Sequence, residues 1–300
     1  MSERVLLTGA SGFLGSVIND VLRAEFEVVT LGRSAANQIQ ADLSVEIPKI
    51  TSSVDWVVHA AGHAHRIPRS ATERKIFEAV NQVGTSNLLR ALDKLQPPKA
   101  FVFISSVSVY GCEHGEHIDE LYPLTGMSPY AVSKIEAEKA ISIWCAQRNV
   151  CCAILRLPLI VGPGAPGNLG KMIRAIRQGW YVGLGDGRAR KSVVLATDVA
   201  NFLPVVKERG GVYNLTDGVH PTMLELENAI ARALGRSSPR RLPIPWLHWL
   251  ARAIGWIPGS PLNVALVDKL SNSLTFDDAK ARSMAGWKSS DVIAHIPDVV

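Results

Sequence analysis

The N-terminal segment constrains the fold of this chain more than any other feature. An apolar run, Arg4–Thr8, leads into a turn with glycines at positions 9, 12 and 15, and an amphipathic pattern over Phe13–Ala24 follows. Gly9 permits a tight turn, Gly12 lets the backbone approach a diphosphate, and Gly15 allows a helix to pack closely on a strand. Because the free N–H groups at a helix start favour anions, this strand, turn and helix predict a dinucleotide-binding loop.

Apolar and β-branched runs alternate with helical patterns through the first half of the chain. The strand-like runs are Arg4–Thr8, Glu27–Leu31, Trp56–His59, Ala100–Ile104 and Cys152–Leu157. The helical patterns are Phe13–Ala24, Phe77–Leu95 and Ser128–Arg148. Strands this apolar are buried on both faces, so the pattern predicts an α/β fold with a doubly wound parallel sheet.

The pattern changes after Pro158, where a glycine- and proline-rich loop begins and the alternation becomes less regular. We therefore expect a dinucleotide-binding domain over residues 1–162. A smaller C-terminal lobe, mainly for substrate, is expected over residues 163–300. Within it, residues 192–216 are expected to return to the main sheet, with Val212–Leu215 as a further strand.

Composition excludes several classes of protein. An apolar content of 47% with 20% charged residues excludes a disordered or collagen-like chain. The net charge of +5 is too mild and scattered to predict a nucleic-acid groove, and suits a phosphate-bearing small molecule as well. No apolar run reaches the roughly 18 residues of a membrane span. For the aromatic segment Leu242–Ile257 we favour a helix or lid of the lobe over a helix lying on a membrane surface.

The cysteines and histidines do not predict a metal site. The four cysteines lack zinc-ligand spacing and no signal peptide precedes them, so we expect reduced thiols in a cytoplasmic protein. Adjacent Cys151 and Cys152 start a strand and point to opposite faces, which argues against a disulfide between them. His59, His63 and His65 lack a carboxylate that would complete a ligand set, so structural or cofactor-lining roles are favoured.

The residues after the second predicted strand bear on the choice of dinucleotide. A site for NAD usually has Asp or Glu here to bind the ribose 2′-hydroxyl, whereas arginine accommodates the 2′-phosphate of NADP. The chain reads Gly32-Arg33-Ser34 and offers no acid. Arg33 therefore favours NADP, with NAD still open, because an arginine here could also be an ordinary surface residue.

A tyrosine and a lysine four residues apart form the candidate reactive pair. Tyr130 and Lys134 follow Pro129, which suits a helix start, and their spacing puts both side chains on one helix face. A phenol has a pKa near about 10, so it needs a neighbouring ammonium to act at neutral pH. Ser106, at the end of a predicted strand, could hydrogen-bond the same substrate oxygen.

Six motifs in a fixed order carry a resemblance to a known family. They are Gly9-Ala10-Ser11-Gly12-Phe13-Leu14-Gly15, Ala41-Asp42-Leu43, His59-Ala60-Ala61-Gly62, Asn81-x-x-Gly84-Thr85, Ser105-Ser106-x-Ser108-Val109-Tyr110-Gly111 and Tyr130-x-x-x-Lys134. Over nearly the whole chain they resemble the extended short-chain dehydrogenase/reductases, the nucleotide-sugar epimerase/dehydratase family. The resemblance implies a Rossmann fold and an NAD(P)-dependent enzyme acting on a nucleotide-diphosphate sugar.

The resemblance also implies roles for individual residues. Tyr130 would be the catalytic acid/base, Lys134 its partner and nicotinamide-ribose ligand, and Ser106 a hydrogen-bonding aid that touches substrate. The implied cofactor-binding residues are Gly9, Gly12, Phe13, Leu14, Gly15, Arg33, Asp42, Leu43, Ala60, Ala61, Gly62, Asn81, Ser105, Tyr130, Lys134 and Leu157. The further substrate-binding residues are Asn168, Arg190 and Lys191, the last two near the diphosphate. No metal is expected.

Departures from the family pattern narrow the reaction. Val107 and Ser108 stand where the 4,6-dehydratases have an Asp-Glu pair, so no carboxyl group is available there for dehydration. Leu159 stands where 4-epimerases have asparagine. The segments Arg156–Leu169 and Leu274–Trp287 are more similar to the 4-ketoreductases of bacterial surface-polysaccharide pathways. We expect reduction of a 4-keto group by NADPH. An NAD-dependent 4-epimerase is the alternative, and a non-catalytic cofactor-sensing protein is less favoured.

The family resemblance further implies a homodimer. The predicted helices Phe77–Leu95 and Ser128–Arg148 correspond to those that form an intersubunit four-helix bundle in the family. We expect the second helix to carry more apolar surface than the sheet can bury. The residues concerned are Ile135, Ile141, Ile143 and Trp144.

Overall fold

A seven-stranded parallel sheet forms the centre of the computed structural model, which describes residues 2–64, 68, 70–243, 245–246 and 271–300. Its strands are β1 (Arg4–Thr8), β2 (Glu27–Gly32), β3 (Ile39–Gln40), β4 (Trp56–His59), β5 (Ala100–Ser106), β7 (Cys151–Leu157) and β11 (Gly211–Asn214). They lie in the order β11-β7-β5-β4-β1-β2-β3. The order reverses between β1 and β4, and ligands bind at the carboxyl ends of the strands at such a point.

Helices cover both faces of the sheet. On one face, α1 (Phe13–Leu22) packs against α6 (Ala196–Val206) over an apolar core that includes Leu7 and Val102. On the other face, α3 (Gly84–Leu92) and α4 (Pro129–Arg148) share a second apolar core. The chain therefore has the doubly wound Rossmann fold that its sequence predicts.

The glycine turn has no room for side chains at two of its three glycines. Gly9 lies in the left-handed region with a φ of +79°, which favours glycine. A Cβ on Gly15 would lie 1.9 Å from the carbonyl oxygen of Gly9. Helix α1 can therefore start directly against β1 only because both positions lack a side chain.

Helix α4 has clear signals at both ends. The Ser128 hydroxyl caps its start by accepting a hydrogen bond of 3.1 Å from the Ala131 backbone N–H, and Pro129 occupies the first turn. Asn149 ends the helix with a φ of +54°. These signals fix which residues of α4 face β5.

The helix expected over Phe77–Leu95 has different bounds and is not regular. The structure has α2 (Ala71–Phe77), a π-helical turn (Glu78–Val83) and then α3. Asn81 lies in the π turn, where its side chain binds the His63 backbone through both its oxygen and its nitrogen. The prediction missed this irregularity because π turns have no sequence pattern of their own.

The described part of the chain also contains smaller elements. They are β6 (Gly115–Ile118), β8 (Leu159–Val161), α5 (Gly167–Gln178), β9 (Val182–Leu184), β10 (Val193–Leu195), α7 (Met223–Ala233), β12 (Arg240–Leu242), β13 (Leu274–Phe276) and two short helices, Ala279–Ala285 and Val292–His295. Helices α5 and α7 share an apolar cluster with β8 and β10. Strand β11 pairs with β7 in the main sheet, whereas β10 pairs with β8 in a separate sheet. The division of the chain at residue 162 stays a prediction.

Three of the four apolar residues expected on the outside of α4 lie in the core. Ile135, Ile141 and Trp144 are 7%, 0% and 6% exposed. Ile141 and Trp144 lie in the core that α4 shares with the sheet and α3, and Ile135 lies in a smaller cluster that includes Val109. Only Ile143, at 59% exposed, faces outward as expected.

The structure describes little of the aromatic segment. Residues 244 and 247–257 of Leu242–Ile257 lie outside the described part, as does His65. Within the described part, no helix is long and apolar enough to cross a membrane. All four cysteines are free thiols.

Candidate active site

The glycine turn and the loop after β4 lie side by side at the carboxyl edge of the sheet. A Cβ on Gly9 would lie 2.6 Å from the backbone nitrogen of Ala61, so the two backbones are in direct contact. Ala61 also donates its N–H to the Thr8 hydroxyl at 3.1 Å. Ala60 belongs to the same loop and contacts the core next to α1. Predicted residues from two separate motifs thus line one edge.

The start of α1 fits the diphosphate of a dinucleotide. No side chain caps its free N–H groups, its first turn contains no acid, and Gly12 is exposed. Free N–H groups at a helix start, together with the positive end of the helix dipole, attract phosphate. Leu14 and Leu157 are buried in the core below the turn, and Phe13 packs against Gly162. These three residues shape the turn from within the protein.

The predicted adenosine end is formed by the residues after β2 and β3. Arg33 is exposed, and its guanidinium forms no ion pair with any residue that the structure describes. The Asp42 carboxylate accepts hydrogen bonds from the backbone and hydroxyl of Ser44, which lower its pKa, and Arg33 adds a smaller effect in the same direction. Leu43 is buried, and its carbonyl accepts a hydrogen bond from Asn87.

Lys134, Asn81 and Gly62 converge although they come from three different elements. A Cβ on Gly62 would lie 3.2 Å from the Lys134 Nζ and 3.3 Å from the Asn81 Oδ1. The ammonium donates to the Ile104 carbonyl at 2.9 Å and lies 4.5 Å from the centre of the Phe103 ring. Burial lowers the pKa of Lys134 to about 8, and the negative charge of Glu138 opposes part of this effect.

Tyr130 lies one helical turn before Lys134 and is paired with Ser106. Burial raises the pKa of the Tyr130 phenol, and a hydrogen bond with Ser106 lowers it by less. The expected lowering of this pKa by Lys134 does not appear. The phenol therefore keeps its proton at neutral pH.

His59 has a structural position rather than a place in a metal site. Its ring is fully buried, with Nδ1 2.7 Å from the Thr8 hydroxyl and Nε2 2.9 Å from the Thr85 hydroxyl. Burial and the charge of Lys134 lower its pKa to about 3. In the described part of the chain no group of His, Cys, Asp and Glu could hold a metal ion.

The three other predicted substrate residues lie on α5 and just before β10. Asn168 is exposed in the first turn of α5. Arg190 donates to the His220 carbonyl at 2.9 Å, and Lys191 donates to the Asn272 carbonyl at 2.7 Å. Each of these cations therefore has at least one donor already engaged by the lobe.

Sequence reasoning missed a group of buried polar residues behind the reactive pair. Ser133 accepts a hydrogen bond from Asn81 at 2.9 Å and so joins α4 to the π turn. Glu138 and Arg156 form an ion pair in which both side chains are nearly inaccessible to solvent. The available signals were the spacing of four residues between Lys134 and Glu138, and an arginine inside an apolar strand.

Comparison with known proteins gives the class to which this fold and site belong. Residues 5–216 match the model of the NAD dependent epimerase/dehydratase family, and the chain belongs to that family. A UDP-glucose 4-epimerase of Vibrio cholerae is 27% identical over 96% of this chain and 91% of its own. A GDP-6-deoxy-D-mannose reductase of Pseudomonas aeruginosa is 27% identical over 77% of this chain and 80% of its own.

Solved structures show the same fold. MoeE5 in complex with UDP-glucose and NAD has a TM-score of 0.76 at 22% identity, covering 98% of this chain and 96% of its own. RMD from Pseudomonas aeruginosa complexed with NADPH has a TM-score of 0.73 at 23% identity, covering 99% and 97%. This chain is accordingly an enzyme of the extended short-chain dehydrogenase/reductase class, with a nicotinamide cofactor and a nucleotide-sugar substrate.

Proposed function

We propose that this protein reduces the 4-keto group of a nucleotide-diphosphate sugar with NADPH. The observation that carries the proposal is that Tyr130 is hydrogen-bonded to Ser106 at the carboxyl end of β5, while Lys134, one turn later on α4, lies beside Gly62. Val107 and Ser108 begin a short 3-10 helix there and bring no carboxyl group, which argues against dehydration. A reductase needs only a proton donor and a bound hydride source.

The chain's own residues divide the work of this reaction. Bound NADPH supplies the hydride. Tyr130 gives its proton to the oxygen that develops negative charge, and Ser106 donates a hydrogen bond to the same oxygen. Lys134 and Asn81, which lie beside Gly62, would hold the nicotinamide ribose, and the uncapped start of α1 would bind the diphosphate. The apolar packing beneath this edge keeps the groups in place.

Arg33 supports NADP rather than NAD. Arg33 directly follows β2 and is exposed, and its guanidinium has no ion-pair partner in the described part of the chain. No Asp or Glu stands at this point to bind a ribose 2′-hydroxyl instead. A 2′-phosphate next to it would gain a charge-assisted contact. Among the related structures, RMD binds NADPH and MoeE5 binds NAD, so the preference of this chain rests on Arg33.

A 4-epimerase is the second candidate, favoured by one specific observation. The Vibrio cholerae relative is a UDP-glucose 4-epimerase and matches 96% of this chain. An epimerase restores its cofactor in every cycle, so it consumes none. Mixing the protein with NADPH and a 4-keto nucleotide sugar and following absorbance therefore separates the two functions, and a steady loss of NADPH supports the reductase.

We also propose that the protein is a homodimer. Ile143 on α4 and Val83 at the end of the π turn are 59% and 41% exposed, and Val132 on α4 is 45% exposed. Exposed apolar side chains on neighbouring helices suit a helix-to-helix interface between two copies. Light scattering at micromolar concentration tests this, and a monomer mass would reject it.

A further inference from the structure

Two consecutive turns of α4 are fastened to the end of β5. Lys134 donates to the Ile104 carbonyl at 2.9 Å, and one turn later Glu138 accepts a hydrogen bond from the Ser105 hydroxyl. Ile104 and Ser105 are the two residues that precede Ser106. These two contacts therefore hold the backbone that leads into Ser106 against α4.

Glu138 is itself held by a second charged residue. Arg156 binds it with two hydrogen bonds, from Nη2 to Oε2 at 2.7 Å and from Nε to Oε1 at 3.2 Å. Arg156 lies on β7 directly opposite Ser105 of β5. The side chains of Glu138 and Arg156 are only 5% and 6% exposed, so the pair is buried.

The remaining donors of Arg156 face Tyr110 and the loop after β6. Its Nη1 donates to the Tyr110 hydroxyl at 3.1 Å, and its guanidinium lies 5.0 Å from the centre of the Tyr110 ring. The Tyr110 hydroxyl donates in turn to the Asn214 side chain at 2.7 Å. Every charged group in this chain of contacts has a protein partner, so the pair acts through its neighbours and not on substrate.

A buried ion pair is a weak source of stability, since an apolar pair of similar volume is often as stable. We infer that Glu138 and Arg156 are positioning residues of the active site. They hold the end of β5 against α4 and keep Lys134 in its charged form. This inference rests on the proposed role of Lys134 as ligand of the nicotinamide ribose.

The electrostatic part follows from the groups that face Lys134. Glu138 faces it from its own helix, His59 from β4 and Arg156 from β7 beyond Glu138, and Tyr130 lies one turn earlier on α4. His59 is neutral, and Tyr130 is a protonated phenol near neutral pH. Glu138 therefore supplies the negative charge that opposes the effect of burial on the pKa of Lys134. Arg156 limits this opposition, because its positive charge offsets part of the charge of Glu138.

The test is the pH dependence of NADPH affinity, measured by fluorescence titration from about pH 6 to about pH 10. Wild-type affinity is expected to fall as Lys134 loses its proton, with a midpoint near 8, and Lys134→Met should remove this dependence. Glu138→Gln should move the midpoint down by about 1 unit, the size expected for an opposite charge nearby. Arg156→Met, which frees the charge of Glu138, should move it up.

The control removes a carboxylate that lies just after α3 and contacts the far end of α4. Asp93→Asn breaks an ion pair with Arg148 of α4, whose closest nitrogen–oxygen distance is 2.6 Å, and should leave the midpoint unchanged. A downward shift of the midpoint in Glu138→Gln and an upward shift in Arg156→Met support the inference. If one of the two variants does not fold, the sign of the shift in the other variant decides. Shifts in one direction, no shift, or a flat wild-type profile overturn it. Since the readout is cofactor binding, a failure to consume NADPH with a keto sugar would reject the proposed function alone.

Discussion

Replacing His59 with asparagine is expected to make the stability of the protein less sensitive to acid. Thr85 donates its own proton to the Asn81 carbonyl, so His59 Nε2 carries a hydrogen toward Thr85 and Nδ1 accepts from Thr8. A second ring proton would meet the Thr8 hydroxyl in a fully buried site close to Lys134. The folded protein thus keeps this ring neutral down to about pH 3.

The expected size follows from the difference between the folded and unfolded pKa of His59. The unfolded chain takes up this proton below about 6.5, so the free energy of unfolding falls as the pH decreases between about 6.5 and about 3. About pH 5 lies roughly 1.5 pH units below the unfolded pKa of His59. At roughly 1.36 kcal/mol per pH unit, the free energy of unfolding is therefore lower by about 2 kcal/mol. His59→Asn has no such proton and should escape this loss.

Urea unfolding at about pH 7.5 and about pH 5 measures the effect in wild type and His59→Asn. The wild type should lose about 2 kcal/mol more than the variant. Burial raises the pKa of Asp217 to about 6, which favours the folded state as the pH falls, but this contribution is common to both proteins and cancels. Equal losses in the two proteins would refute the reasoning on His59.

Three further predictions concern the proposed reaction and cofactor. Tyr130→Phe should lose about 10²–10⁴-fold in turnover, the usual contribution of general acid catalysis, while cofactor affinity stays within about threefold. A turnover loss below about threefold in kinetic assays would exclude Tyr130 as proton donor. Lys134→Met should weaken both turnover and cofactor affinity, because this residue is proposed to bind the ribose; unchanged affinity in cofactor titration would count against that contact. Arg33→Asp should reverse a preference for NADP of about ten- to a hundredfold, and equal wild-type affinity for NAD and NADP would contradict this assignment.

The sheet and the glycine turn between β1 and α1 could be predicted from the sequence because each depends on local patterns. The runs Arg4–Thr8 and Trp56–His59 are strands with the predicted bounds. The glycine spacing predicts this turn because a Cβ at Gly9 or Gly15 would collide with neighbouring backbone atoms. The spacing of Tyr130 and Lys134 likewise placed them on successive turns of one helix.

Features that depend on distant contacts could not be predicted. An apolar helix residue looks the same whether it enters the core or a second subunit, so Ile141 and Trp144 were assigned to the wrong side. The ion pair of Glu138 and Arg156 joins residues 18 positions apart, and the local signals at each residue do not show that the two side chains meet. Such contacts become visible only once the packing of α4 on β5 and β7 is known.

The reduction itself tests the central claim most directly. The measurement is the absorbance of NADPH on mixing the purified protein with a 4-keto nucleotide-diphosphate sugar, beside a Tyr130→Phe control. The account predicts a steady, stoichiometric loss of NADPH with formation of the 4-hydroxy sugar, and a rate about 10²–10⁴-fold lower in the control. No net loss of NADPH while the protein interconverts 4-epimers of a nucleotide sugar would contradict it and identify an epimerase.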